Sequence, residues 1–187
     1  MLKVVRAGDG LTAVAAFARE IPRGSWFAAL GEPLTAGERA EARTYLAEII
    51  GRHDVVIAGA ADWLAAQAII KRDYDGAWWD AEMLAQNEAR QRGEGAHGKE
   101  ALLAALEPIV EAAGALNGPA ALAASRAGVT DQALIRVAAG AAAQACHQAA
   151  LVIAAGAGAD HPFAIKYRLF AGGRWPLGFD GDRFVVF

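Results

Sequence analysis

A single cysteine, Cys146, stands in a chain of 187 residues. One thiol excludes an internal disulfide and any metal site built from several cysteines, and it suits a reducing, cytoplasmic compartment. Cys146 lies among alanines, where a buried inert thiol is expected rather than a nucleophile. The four histidines, His53, His97, His147 and His161, stand apart from one another. No H-x-x-x-H spacing, complete Walker loop or G-x-S-x-G turn occurs, so neither a metal nor a cofactor is expected. Asp73, Asp75 and Asp80 lack the regular ligand spacing of a calcium loop.

Positive charge is scarce as well, with 18 Lys and Arg against 21 Asp and Glu for a net charge of −3. No general basic field would attract nucleic acid or anionic lipid. The residues from Met1 to Arg6 run straight into Gly8-Asp9-Gly10 and not into an apolar stretch, so no secretory signal is expected.

Ionic side chains almost vanish over the 30 residues from Thr130 to Ala159, where Asp131 and Arg136 are the only two. A helix that is apolar all round must be surrounded by protein or by lipid. The best candidate membrane span, roughly Ala138 to Ala159, carries Gln144, His147 and Gln148 near its middle and few large apolar side chains. Insertion would gain little, and polar groups at mid-bilayer are costly. The segment is therefore expected to be the core helix of a protein in water. Length and composition fit one globular domain over residues 1–187.

Local patterns fill in the rest. Leu2 to Arg6 suits a short strand, and Leu11 to Ile21 a helix ended by Pro22 and Gly24. Thr35 and Glu38 match a capping box for a helix reaching Ile50 and stopped by Gly51. Asp54 is placed to cap a further helix, because Val56, Trp63 and Ile70 recur every seven residues on one face. Another helix is expected from Trp78 to Arg92, followed by a flexible Gly93 to Gly98 loop. Lys99 to Ala113 shows helical spacing, and Pro119 can open the next helix after Asn117-Gly118. Thr130 is a candidate N-cap for the long apolar helix. Phe163 to Phe170 suits a short helix capped by Asp160-His161-Pro162, although the alternation of Phe163, Ile165, Tyr167 and Leu169 would also suit a strand. Asp180-Gly181 between apolar runs predicts a C-terminal hairpin. The fold class is mainly α (α+β): a helical bundle around a buried Ala-rich helix, with a small C-terminal β-hairpin paired to the N-terminal strand.

Two motif resemblances arise and carry little. Gly8-Asp9-Gly10-Leu11-Thr12-Ala13 fits the glycine-rich turn of dinucleotide-binding folds, with Glu32 near the ribose position and Asp54 to Gly59 as a later strand. Gly and Ala are so abundant that a turn and a helix cap account for it. Ala123 to Arg136 resembles the helix-turn-helix of bacterial repressors, with Gly128 at the turn. That resemblance implies that Thr130, Asp131, Gln132 and Arg136 approach a DNA groove. Nearby positive charge is limited to Arg126 and Arg136, and the second helix continues into the apolar run, so nucleic acid is not the expected partner.

Polar residues near the core form the remaining candidate. Arg136 and His147 lie eleven residues apart, within about 20° on one helix, with Gln144 beside that line. Glu82 follows Trp78 and Trp79, with Gln86 one turn on. Trp79, Glu82, Arg136, Gln144 and His147 would make a tryptophan-lined polar pocket if the two helices meet, with Glu82 and His147 as acid and base. A closed Glu82–Arg136 ion pair is the alternative outcome. With no catalytic constellation, the leading expectation is a non-catalytic, cytoplasmic interaction protein that self-associates through close helix contacts. A small-molecule pocket is the second expectation, and no membrane partner is expected.

Overall fold

The computed structural model describes residues 10–72 and 75–187. The fold is mainly α with a small β part. The helices are α1 (Gly10–Glu20), α2 (Ala36–Ile50), α3 (Trp63–Ile70), α4 (Gly76–His97), α5 (Lys99–Gly114), α6 (Asn117–Arg126), α7 (Gln132–Ala154) and α8 (Pro162–Ala171). The strands are β1 (Val56–Gly59), β2 (Pro176–Asp180) and β3 (Arg183–Val186).

The apolar run becomes α7, and α1, α4, α5, α6 and α8 all pack on it. From Ala145 to Ala154 every residue except His147 is buried. Small side chains allow this, because alanine lets neighbouring backbones approach where leucine would hold them apart. The first half is amphipathic: Arg136 and Val137 are exposed while Leu134, Ile135 and Ala138 are buried. Two stretches, Lys99–Arg126 and Gln132–Ala154, are long and apolar enough to cross a membrane by length and composition alone. The second of these is mostly enclosed by the protein itself.

Several boundaries follow the local chemistry. Thr35 and Glu38 close the capping box of α2, and Gly51 ends that helix at φ 67°. His161 caps α8, with Pro162 in its first turn. Others correct the expectation. Asp131, not Thr130, caps α7, its carboxylate accepting from the Ala133 and Leu134 amides. Gly93 to Gly98 is not a loop, since α4 continues to His97. Gly93 is buried where a Cβ would stand 3.2 Å from Leu102, so close packing against α5 outweighs the weak helix propensity of glycine.

The hairpin of β2 and β3 forms around Gly181 as predicted. Its further partner is β1, which runs parallel to β3 with Ile57 opposite Phe184, giving the sheet order β1-β3-β2. Leu2 to Arg6, the expected partner, lies outside the described residues, as do Gly8 and Asp9 of the glycine motif. The helix expected from Asp54 starts only at Trp63, capped by Asp62. Val55, Val56 and Ile57 form a β-branched run that is stiff at χ1 and suits a strand. This three-stranded sheet is not a doubly wound one, and Glu32 sits exposed in a loop.

Candidate ligand-binding cavity

An open cavity of about 410 Å³ lies where α3, α4, α7, α8 and the hairpin meet. Helical spacing brings its walls together. On α4, Trp78, Trp79 and Glu82 lie three and four residues apart, on one face. Val137, Ala141 and Gln144 line it from the exposed half of α7, and Lys166 and Phe170 from α8. Ile69 and Ile70 end α3 beside it, and Trp175 with Pro176 to Phe179 closes the far side.

Gly178 makes the hairpin wall possible. Its φ of 127° is poorly tolerated by residues with a Cβ, and a Cβ there would stand 3.0 Å from the Trp78 ring. The bare backbone lets Trp78 pack under the hairpin, edge-on to Phe179 and Phe184. At the rim an Arg72–Asp180 ion pair ties α3 to β2. Asp75 caps α4 through the Trp78 amide at 2.9 Å, and Arg52 stands 3.6 Å from that carboxylate and 4.5 Å from the Phe179 ring centre.

The inner wall is polar. Glu82, 3% exposed, accepts on Oε1 from the Tyr45 hydroxyl and from Lys166 Nζ, the latter at 2.5 Å. Trp78 Nε1 donates to the Tyr45 oxygen at 2.6 Å. Burial first, then the charge of Glu82, pushes the Tyr45 phenol well above its ordinary value of 10.0, so Tyr45 remains the donor. A buried ion pair gains little net stability, but losing one partner costs about 3–5 kcal/mol because a lone charge is left behind. Glu82 and Lys166 therefore constrain each other.

The predicted site residues divide. Trp79, Glu82 and Gln144 come together on this cavity. Arg136 does not: it is one residue before Val137, about 100° round the helix, and faces outward. Glu82 pairs with Lys166, not with Arg136. His147, half-buried one turn beyond Gln144, does not line this cavity but borders a neighbouring groove with Gln86, Val110 and Ala143, and Gln144 lines both. Burial, then the Arg90 charge, lowers its pKa, which favours the neutral imidazole. Gln86 is engaged by Gln148 at 3.1 Å.

Comparison with known protein families, curated proteins and solved structures returns no match.

Sequence reasoning missed Tyr45 and Lys166. The signal was available for Lys166, a lone cation three residues after Phe163 and four before Phe170, on the buried side of α8. Among the described residues no group of three or more His, Cys, Asp or Glu is placed to hold a metal ion. Burial pushes the Cys146 thiol up to about 12, which leaves it protonated and unreactive. Gln132 and Arg136 are exposed, as a groove-reading helix would need, although Asp131 is held both as a cap and by Gln67 at 2.7 Å.

Proposed function

We propose that the protein binds a small, largely apolar molecule in the cavity between α4, α7, α8 and the hairpin. One observation carries the reading: an open, mainly apolar cavity converges on a few polar groups, the buried Glu82 and Lys166 and the half-buried Gln144. Ligand sites have this build, with apolar walls supplying affinity and sparse polar groups fixing orientation, and volumes of about 300–1,000 Å³. Trp78, Trp79 and Trp175 line the space, so indole fluorescence reports occupancy. Titration with butylbenzene is expected to give a saturable fluorescence change in the intact protein. Ala141→Trp, which fills the cavity from α7, is expected to abolish that change while the helical circular dichroism persists. A linear, non-saturating response, or equal binding by the filled variant, would contradict the proposal.

Self-association is a second reading, favoured by apolar side chains left in water. Leu103 and Val110 share one face of α5 and are 54% and 63% exposed, and Met83 of α4 is exposed too. Apolar surface gathered in this way favours contact with another protein surface, here a second copy of the chain. Sedimentation equilibrium is expected to show a concentration-dependent dimer weakened by Val110→Glu. A strict monomer at high concentration would remove this reading and leave the cavity reading untouched.

A further inference from the structure

We propose that the ligand is a neutral molecule whose carbonyl or hydroxyl oxygen is received by Lys166 Nζ. This rests on the ligand-binding reading above and concerns the head group that the cavity selects.

Lys166 is 5% exposed and lines the cavity. An ammonium carries three N–H donors. Among the described residues the one hydrogen bond from Lys166 goes to Glu82 Oε1 at 2.5 Å. The Trp78 ring, 5.9 Å away, attracts the cation without accepting an N–H. Donors in so dry a place favour an acceptor, because an unmet buried polar group is costly.

Charge decides which acceptor. The ionic residues on the lining are Arg72, Asp75, Glu82 and Lys166, and they balance. Each is already engaged, Arg72 with Asp180, Asp75 with Arg52, and Glu82 with Lys166. A carboxylate ligand would place a second anion beside Glu82, with a single ammonium for both to share. A cationic ligand would repeat the charge of Lys166. A neutral oxygen takes a free N–H and adds no charge, so the buried pair remains compensated. The body attached to it is aryl or alkyl, to match Val137, Phe170 and Trp175.

Three probes of similar size separate these possibilities: butyrophenone, 4-phenylbutyrate and butylbenzene, titrated by indole fluorescence. In the intact protein the ketone is expected to bind about tenfold tighter than either the hydrocarbon or the carboxylate, the range of one hydrogen bond from a charged donor. Glu82→Gln keeps an acceptor for Tyr45 and Lys166 but leaves the ammonium uncompensated. In that variant the carboxylate is expected to gain about a hundredfold, the range of an added charge-assisted hydrogen bond in a buried site, and to overtake the ketone. Combining Glu82→Gln with Lys166→Met removes both charges together, which protects folding, and is expected to bring the ketone down to the level of the hydrocarbon. The proposal is overturned if the intact protein prefers the carboxylate, if ketone and hydrocarbon bind alike, or if Glu82→Gln leaves the ranking unchanged. Binding by the hydrocarbon alone would spare the cavity reading, whereas failure of all three probes would end both.

Discussion

Arg174 shows at the scale of one residue how this protein holds a buried charge. Its guanidinium, 3% exposed, meets both Glu38 oxygens, at 2.7 and 3.1 Å. It also donates to the carbonyls of Ala29, Glu32 and Pro33, so the loop before α2 wraps around it. A planar fork that satisfies five acceptors is work for arginine and not for lysine. Glu38 serves twice, since it also completes the capping box with Thr35. Burial raises its pKa, but the bonds from Arg174 and Thr35 outweigh that and hold it below the ordinary 4.5. A carboxyl with a depressed folded-state pKa contributes stability that is full above the unfolded value and lost as pH falls through the folded one. Urea midpoints measured between pH 7 and pH 3 are therefore expected to drop below about pH 4.5 in the native chain. Glu38→Gln should be less stable at pH 7 and should show a flatter acid limb. Parallel profiles would contradict the assignment.

At the scale of elements, the sequence was most legible where local chemistry and tertiary packing agree. The capping box of α2, the proline-opened α8 and the Asp-Gly hairpin all lie where side chains dictate the backbone nearby. Val55 to Gly59 was misread because a seven-residue spacing through Trp63 suggested a helix, while a parallel partner more than a hundred residues away makes it a strand. Gly93 and Gly95 suggested a loop, yet the close packing of Gly93 on Leu102 and Ala154 keeps α4 going. Half of the candidate site was visible in advance: Trp79, Glu82 and Gln144 follow from helical spacing. Lys166, Tyr45 and the hairpin wall depend on which helices meet, a long-range property that spacing alone does not encode. Gly178 joins both levels, because its backbone admits Trp78 to the cavity wall. Gly178→Ala is expected to destabilise the protein by about 2 kcal/mol through backbone strain, and more if Trp78 cannot shift. It should also weaken butylbenzene binding, as the displaced ring enters the cavity. Thermal unfolding and fluorescence titration check the two effects, and an unchanged melting temperature would contradict the packing described for this glycine.

Taken whole, the molecule is organised by the two unequal halves of α7. The alanine-rich second half is sheathed by helices, and the first half keeps one face open as a cavity wall. Packing energy and the ligand site are thus divided along a single element. Alanines at zero exposure, such as Ala145 and Ala150, leave no room for larger side chains, so the enclosed half tolerates change poorly. Residue-resolved amide hydrogen exchange tests this division most directly, because a sheathed segment opens only with the whole fold while a partly exposed one opens locally. Amides from Ala145 to Ala154 are expected to be among the slowest in the protein and to share one opening free energy, close to that of global unfolding. Those from Ile135 to Ala141 should exchange measurably faster. Exchange of Ala145 to Ala154 as fast as that of the exposed face of α5 would show that α7 is not the buried spine, and the cavity built against it would lose its support.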